Sequence, residues 1–239
     1  MIPFNLLKGF NALGPARPMD PRFSHISDWI FDLDNCLYPA STGLFALIDE
    51  RMTAYIERLL DVGPAEARRV QKHHFHTHGT TLAGLIKEHE IDPHHFLEDV
   101  HDVPLDLVKG DRRLGQLLPR LPGRRFVFTN GDAPYARRVL QAIGVHDHFH
   151  DLHDIHASSY RAKPDPHGYE LLCERFGIDP AYALLADDMA RNLVPAKQLG
   201  MTTVWVDNGS ERGDDGYDAA MIDHRITDVA DWLEAILGD

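Results

Sequence analysis

From Arg124 onwards, short apolar segments alternate with amphipathic ones, and Gly, Pro, Asn or Asp marks most of the changes. The apolar segments predict strands over 124–129, 151–156, 182–187 and 201–207. The amphipathic segments predict helices over 133–144, 165–177, 190–200 and 228–237. Strands joined by helices run parallel, because each helix carries the chain back to the edge where the previous strand began. The sequence therefore predicts an α/β fold with a Rossmann-like parallel sheet.

One more strand precedes this region, and a long helical segment separates the two. The strand is predicted at "DWIFDL" (28–33), a short run rich in Trp, Ile and Phe. Amphipathic helices are predicted at 44–60 and 64–78, and residues 44–118 carry no strand pattern. The predicted organisation is an N-terminal lead (1–21), an α/β core (22–43 and 119–239) and an all-helical cap inserted into the core (44–118).

The composition argues against some classes of partner. Of the 239 residues 44% are apolar, so the chain can bury a core without disulfides, and its two cysteines fit a reducing compartment. The formal charge of −13 argues against nucleic acid polymers and anionic membranes, because both are negatively charged. We expect neither a signal peptide nor a membrane span, since no segment approaches about 20 consecutive apolar residues. A cytoplasmic protein is therefore expected, and its oligomeric state stays open.

Polar and charged side chains follow the predicted strands at the points where those strands end. In an open parallel sheet the carboxyl ends of the strands share one edge, and ligands bind there. The residues expected at this edge are Asp32 and Asp34 after the first strand, Thr129, Asn130 and Gly131 after the second, Lys163 before the helix at 165–177, and Asp187 and Asp188 after the strand at 182–187. A hydroxyl, an ammonium group and several carboxylates would meet there, which predicts a site.

The carboxylates of this site need positive charge. Asp32 and Asp34 are two residues apart, which on a strand puts both side chains on one face. Two like charges so close destabilise the fold unless a cation lies near them. Lys163 provides one positive charge, and carboxylate oxygens are good ligands for hard divalent ions. We therefore expect Lys163 and a metal ion to offset the carboxylates.

Four segments resemble, in order, the motifs of the haloacid dehalogenase superfamily of phosphotransferases. They are "DLDNC" (32–36), "FTNG" (128–131), Lys163 of "KPDP", and "ADDMARN" (186–192). Several further segments, among them "GTTLAGL" (79–85), resemble the pyrimidine 5′-nucleotidase family. This narrower resemblance extends from Trp29 to about Val206. It implies a small-molecule partner and a phosphatase of nucleoside monophosphates such as UMP or CMP.

The resemblance implies a role for each residue of the site. Asp32 would attack phosphorus and form an aspartyl-phosphate, while Asp34 would protonate the leaving oxygen and later deprotonate a water. Mg²⁺ would be bound by the Asp32 carboxylate, the Asp34 main-chain carbonyl and Asp188. The phosphate group would be bound by a hydroxyl, an ammonium group and main-chain N–H groups, contributed by Leu33, Thr129, Asn130, Gly131 and Lys163.

Other residues would support the site or the substrate. Asp187 either orients Lys163 or caps the helix that follows it. Asn192 stands where many relatives carry a second acid, so we expect a supporting contact or a water bridge there. Thr80 and Thr81 lie between two glycines, which suits either a helix start or a loop facing a polar ligand. The resemblance assigns these two threonines to the nucleoside pocket.

The remaining features of the cap favour structural roles. We expect Met52, Tyr55 and Phe75 to pack in the core of the cap rather than against a base. Four histidines crowd one helix end, and two of them are four residues apart, a spacing that suits a metal pair. No further ligand is evident in the sequence, so we expect a solvated helix end; the four are His73, His74, His76 and His78. Cys36 stands where the pyrimidine 5′-nucleotidase family usually has Thr. The position belongs to the turn rather than to the chemistry, so we expect little change there apart from an oxidisable thiol.

Two alternatives stay open. A phosphatase of another small phosphometabolite, such as phosphoglycolate or a sugar phosphate, would differ only in its cap. A catalytically silent, ligand-binding member of the fold is disfavoured by the presence of both reacting carboxylates and of Lys163. Asp34 favours a phosphatase over a dehalogenase, because a halide leaving group needs no proton.

Overall fold

The computed structural model describes residues 19–108 and 110–238. Its strands are β1 (Asp28–Phe31), β2 (Arg124–Phe128), β3 (Asp151–His153), β4 (Ala183–Asp187), β5 (Thr202–Val206) and β6 (His224–Ile226). They form one sheet in the order β3-β2-β1-β4-β5-β6, and every neighbouring pair is parallel. The predicted Rossmann-like parallel sheet is therefore confirmed.

β1 lies at the centre of the sheet, which explains why its sequence is a continuous apolar run. It pairs with β2 on one side and with β4 on the other. Trp29 and Phe31 pack into the hydrophobic core on one face of the sheet, and Ile30 packs into the core on the opposite face. Alternate residues of a strand face opposite sides, so a strand that is covered on both faces is apolar at successive positions.

The α-helices of the described residues are α1 (Leu44–Leu60), α2 (Pro64–His78), α3 (Thr81–His89), α4 (Pro93–Val100), α5 (Arg112–Leu117), α6 (Ala133–Ala142), α7 (Pro166–Phe176), α8 (Ala190–Leu199) and α9 (Val229–Leu237). Aspartate side chains cap the N-termini of several, for example Asp132 at α6 and Asp165 at α7. Gly177 and Gly200 end α7 and α8 in the left-handed conformation. None of these helices combines the length and the apolar character that crossing a membrane requires.

The segment between β1 and β2 contains helices and no strand in its described part. α1 packs against α2 and α4, and α3 packs against the same two helices. α5 instead packs against α9, the last helix of the chain. The division into a cap at 44–118 and a core at 22–43 and 119–239 stays a prediction, and the predicted lead lies outside the described residues up to residue 18.

Two strands differ from the sequence prediction. β6 was not predicted, because none of its three residues is buried and it contains no apolar run. It is defined by main-chain pairing with β5, for example between Val206 and Ile226. β3 ends at His153, three residues before the predicted end. Both are strands at the edges of the sheet, where side-chain pattern is a weak signal.

The histidine-rich end of α2 is not uniformly solvated, so that expectation is wrong. His73 and His76 are exposed, but His74 is 1% exposed. α3 packs along α2 and covers His74. The sequence of α2 alone could not reveal this, since the covering residues belong to another helix.

Gly123 is required at the start of β2. Its φ is +77°, and a Cβ at this position would lie 2.1 Å from the carbonyl oxygen of Ser27. Gly144 has a similar φ of +74°, with nothing within 4 Å of an added Cβ.

We expect Gly144→Ala to lower the free energy of unfolding by about 1–2 kcal/mol, the cost of a left-handed alanine. Gly123→Ala should lower the free energy of unfolding further, because the clash with the Ser27 carbonyl oxygen adds to that cost. Urea denaturation of both variants measures the difference. Equal losses in the two variants would contradict a role for the clash.

Candidate active site

The carboxyl ends of β1, β2 and β4 meet at one edge of the sheet, as the sequence predicts. Asp32 follows β1, and its main-chain N–H donates to the carbonyl oxygen of Ala186 in β4 at 2.8 Å. Thr129 follows β2, and Asp187 is the last residue of β4. The parallel register thus brings together carboxylates and a hydroxyl that are far apart in the sequence.

Lys163 is the central cation of this edge. Its side chain is 1% exposed, and Nζ donates to Asp32 Oδ1 at 2.8 Å, Asp187 Oδ2 at 2.6 Å and the Phe128 carbonyl oxygen at 2.9 Å. Burial by itself lowers the pKa of the Lys163 ammonium group, but the two carboxylates outweigh it and hold the pKa above its usual value. The expected offset of the carboxylates by Lys163 is therefore present as two direct ion pairs.

Asn130 fixes the segment that carries Lys163. The main-chain N–H of Lys163 donates to Asn130 Oδ1 at 2.8 Å, and Asn130 Nδ2 donates to the Lys163 carbonyl oxygen at 3.2 Å. This reciprocal pair connects the loop after β2 to the loop before α7. The side chain of Asn130 thus has a positioning contact, while its main-chain N–H is the group for which phosphate binding is predicted.

The sequence left two roles open for Asp187, orienting Lys163 or capping the next helix, and its contacts serve both. Its Oδ2 accepts from Lys163, and its Oδ1 accepts from the Met189 N–H and from Asn192 Nδ2, both at 2.9 Å. It therefore orients the lysine and also fixes the start of α8. Asn192 contacts the site through Asp187, consistent with a supporting role.

The carboxylates at this edge outnumber the single positive charge of Lys163, and their arrangement suits a divalent cation. Oxygens of Asp32, Asp187 and Asp188 lie within 4.8 Å of one another. Burial, together with the charge of Asp187, raises the pKa of Asp188 to about 7. Burial also raises the pKa of Asp32 well above its ordinary value, and the neighbouring carboxylates add to this effect while Lys163 opposes it. A hard cation between Asp32 and Asp188 would relieve this repulsion, and an all-oxygen donor set suits Mg²⁺. Asp187 fits less well as a ligand, because both of its oxygens already accept hydrogen bonds.

Asp34 has a different environment from Asp32. Its Oδ1 accepts hydrogen bonds from Tyr38 Oη at 2.5 Å and from Tyr135 Oη at 2.6 Å. Burial, with Asp34 adding to it, raises the pKa of both tyrosines well above the ordinary value, so both keep their protons and donate. The two hydroxyl groups therefore fix the orientation of the Asp34 carboxylate.

Sequence reasoning missed both tyrosines. Tyr38 follows Asp34 by four residues, within a turn, and Tyr135 belongs to α6. The ring of Tyr135 stacks on His101, with centroids 4.2 Å apart and planes 12° apart, and His101 Nδ1 lies 2.8 Å from Asp132 Oδ1. The position of a tyrosine four residues after Asp34 was the available signal for Tyr38, but nothing in the sequence indicates that Tyr135 reaches Asp34.

The sequence profile of the haloacid dehalogenase-like hydrolase family matches residues 30–200, more than half of the chain. This chain belongs to the haloacid dehalogenase-like hydrolases. Phosphate metabolism protein 8 of Saccharomyces cerevisiae is 28% identical over 191 residues, which are 72% of this hydrolase and 59% of that protein. The chain thus spans less than two thirds of the length of this curated relative.

Solved structures of the family share the fold. A phosphatase from Thermococcus onnurineus superposes with a TM-score of 0.61 and 21% identity, over 89% of this hydrolase and 98% of that chain. The L-2-haloacid dehalogenase of Xanthobacter autotrophicus superposes with a TM-score of 0.55 and 15% identity, over 89% and 99% of the two chains. Because proteins with different reactions share this fold, the residues of the site must decide the reaction.

A cavity of about 420 Å³ lies between this edge of the hydrolase sheet and the helices α1 to α4. The sheet side contributes residues of the candidate site, namely Asp32, Asp34, Asn130, Gly131, Lys163, Asp188 and Asn192. The helical side contributes Thr80 and Thr81, the two threonines that the sequence assigned to a substrate pocket. Thr80 also caps α3, since its Oγ1 accepts from the Ala83 N–H at 3.1 Å. The two interpretations of this segment are therefore compatible.

Phe75 and Met52 line the same cavity. Met52 also packs against the hydrophobic core, as expected, whereas Phe75 does not belong to that core, so the expectation is wrong for Phe75. The guanidinium group of Arg191 lies 4.6 Å from the centroid of the Phe75 ring. Arg191 lies in the segment "ADDMARN" but was not predicted as a site residue. Tyr55, by contrast, is buried in the hydrophobic core, as expected.

Some predicted residues do not reach the cavity through their side chains. The side chain of Leu33 is buried in the hydrophobic core, so only its main chain is available to a ligand. Thr129 is 1% exposed, and its Oγ1 accepts from the Gly131 N–H at 3.0 Å. This hydrogen bond occupies a main-chain donor for which phosphate binding was predicted.

Cys36 is not an exposed thiol. It is 5% exposed, and burial raises its pKa well above the ordinary value. Because the thiolate is the form that oxidises readily, the expected sensitivity to oxidation is not supported.

Replacing Lys163 tests how far the site depends on one buried charge. We expect Lys163→Met to lower the free energy of unfolding by about 3–5 kcal/mol, because it leaves buried carboxylates without their partner. The matched control is Lys197→Met, which removes a half-exposed pair with Asp223 and should cost at most about 1 kcal/mol. Urea denaturation of both variants measures the difference, and similar losses would show that Lys163 does not stabilise the site.

Proposed function

We propose that this hydrolase is a Mg²⁺-dependent phosphatase of nucleoside 5′-monophosphates, of the pyrimidine type such as UMP or CMP. The observation that carries the proposal is the contrast between two carboxylates two residues apart. Asp32 is paired with a buried ammonium group, whereas Asp34 is held by two tyrosine hydroxyls. Carboxylates in such different environments suit two different chemical roles.

In the proposed first step, Asp32 is the nucleophile. Lys163 holds Oδ1 at 2.8 Å, which leaves Oδ2 to form a bond to phosphorus while the bond from phosphorus to the 5′ oxygen breaks. Asp34 gives a proton to that leaving oxygen. The products of this step are an aspartyl-phosphate and a nucleoside.

In the second step, a water attacks phosphorus and Asp34 takes its proton. The bond from phosphorus to Asp32 breaks, and inorganic phosphate leaves with both carboxyl groups restored. The tyrosine hydroxyls keep Asp34 oriented toward the reacting oxygen in both steps. A dehalogenase needs no such acid, so Asp34 favours a phosphatase.

Mg²⁺ would be held by Asp32, the Asp34 main-chain carbonyl and Asp188, and it would neutralise charge on the transferred phosphoryl group. Lys163 already donates to three acceptors, which are all that an ammonium group can serve. A phosphate oxygen bound by Lys163 would therefore replace one of them, the Phe128 carbonyl being the neutral one. The hydroxyl group of Thr129 is buried, so its side chain would have to turn toward the cavity to donate to the phosphate.

The nucleoside part of the proposal rests on the resemblance of the cap segments and on the helical side of the cavity. A volume of about 420 Å³ suits a small metabolite. Phe75 offers an aromatic ring, and Arg191 and the threonines at 80 and 81 offer polar groups to a base or sugar. The cytoplasmic location and the exclusion of nucleic acid polymers and membranes stay predictions from composition.

A substrate panel tests this proposal. We expect phosphate release from UMP and CMP that exceeds release from AMP, GMP, phosphoglycolate and sugar phosphates, and that stops with excess EDTA and returns with Mg²⁺. Release that favours a non-nucleotide would keep the mechanism and replace the substrate class. Failure of the folded protein to hydrolyse any of them would instead favour a ligand-binding member of the fold.

Substitution of the two carboxylates separates their roles. Asp32→Asn should abolish turnover, because it removes the nucleophile and a metal ligand together. Asp34→Asn should slow both steps by about 10²- to 10⁴-fold, the usual contribution of a general acid and base. Asp147→Asn, at a side chain 96% exposed, is the control and should leave kcat unchanged. Steady-state hydrolysis by Asp32→Asn, or a normal kcat for Asp34→Asn, would refute the mechanism.

A further inference from the structure

His74 in α2 is a buried imidazole without a hydrogen-bond partner. It is 1% exposed, and neither Nδ1 nor Nε2 is hydrogen-bonded by any residue in the described part of the chain. Buried polar groups in folded proteins are nearly always paired, so an unpaired one requires a specific explanation. A bound ligand is such an explanation.

Potential metal ligands surround this imidazole at the end of α3. Glu88 Oε1 lies 3.8 Å from His74 Nδ1, and ligand atoms of His74, Glu88 and His89 all lie within 4.8 Å of one another. His78, one turn after His74 in α2, has its Nε2 2.6 Å from the same Glu88 oxygen. The C-terminal turns of two helices therefore meet around one small space.

Gly84 opens this space between the helices. A Cβ at position 84 would lie 2.4 Å from the ring of His74. Only a residue without a side chain allows the imidazole to lie against α3 at this point. The sequence of α3 thus accommodates His74 where a larger residue would displace it.

We propose that His74, Glu88 and His89 bind a Zn²⁺ ion between α2 and α3, apart from the carboxylate site. Imidazole nitrogens and a carboxylate oxygen are normal zinc ligands, with bonds of about 2.0–2.2 Å. The ligand atoms need to approach each other only slightly around an ion. His78 holds the Glu88 carboxylate, as hydrogen-bonding partners of metal ligands do.

The ligand set favours zinc over the Mg²⁺ proposed for the carboxylate site. Nitrogen ligands suit Zn²⁺, whereas Mg²⁺ prefers oxygen ligands and retains water. Burial lowers the pKa of His74, which keeps its imidazole in the neutral form that binds metal. The two sites should therefore take different ions from a mixture.

Zinc here would connect the end of α2 to the end of α3. Thr80 lies in the turn between these helices and Thr81 is the first residue of α3, and both line the cavity. A bound ion would therefore stabilise the fold and restrain this wall of the cavity, with no part in the chemistry at Asp32. The proposal depends on contacts within the helices and not on the proposed substrate.

The experiment uses the full-length protein without an affinity tag, freed of metal by a chelator and kept in excess Mg²⁺ to occupy the carboxylate site. Zn²⁺ binding is measured by calorimetry with metal analysis, and Co²⁺ absorption reports nitrogen ligands. The variants are Glu88→Gln and His89→Gln, both at surface-accessible positions, with His73→Gln as the exposed control on α2. We expect one Zn²⁺ per wild-type chain and a loss of affinity of more than about tenfold in both variants.

The melting temperature supplies a second readout. Zn²⁺ should raise it in the wild type and in His73→Gln, since an ion that binds the folded state stabilises it, and should leave both ligand variants unchanged. The proposal would be overturned if the wild type bound no Zn²⁺, if either ligand variant bound it as tightly as the wild type, or if only Asp188→Asn abolished binding.

Discussion

The buried ammonium group of Lys163, held between Asp32 and Asp187, is the interaction on which the rest of the site depends. It offsets carboxylates that two distant segments of the chain bring to one edge of the sheet. Removing such a charge is costly, because a buried carboxylate without a partner is strongly destabilised. The reciprocal hydrogen bonds of Asn130 and the position of Asp187 at the end of β4 both serve to hold this one cation in place. The single charge of Lys163 is shared by Asp32 and Asp187 and cannot also balance Asp188, so negative charge remains between Asp32 and Asp188 and makes the edge suitable for a divalent cation.

Asp32 and Asp34 show how the fold gives two identical side chains different properties. Asp32 lies among charged groups at the end of the central strand. Asp34 lies further into the turn, and its carboxylate accepts hydrogen bonds from tyrosines that come from two separate segments. Neutral donors orient a carboxylate without pairing it with a fixed charge. In the proposed mechanism, this difference separates the nucleophile from the general acid.

The helices between β1 and β2 supply the other half of the cavity lining. Arg191 comes from the α/β core and stacks on Phe75 of α2, so the two sides of the cavity are in direct contact at this point. The proposed reacting groups lie on the sheet side, and solved phosphatases and dehalogenases share the fold. In this proposal, substrate preference depends on the helical side, where the rings, threonines and histidines of α2 and α3 lie. A metal ion between those two helices would act on the same wall.

The sequence by itself determined the parallel sheet, the ends of most helices and the carboxylates at the sheet edge. These features follow from local periodicity, from capping residues and from the rule that parallel strands share their carboxyl edge. Only the tertiary structure decided that Tyr38 and Tyr135 reach Asp34, that Phe75 and Arg191 meet at the cavity, and that His74 is buried beside Glu88. The strand β6 is also a feature that only the tertiary structure decided, since main-chain pairing with β5 defines it rather than any apolar pattern. Each depends on contact between segments distant in sequence, and local pattern carries no information about which distant residue will lie opposite.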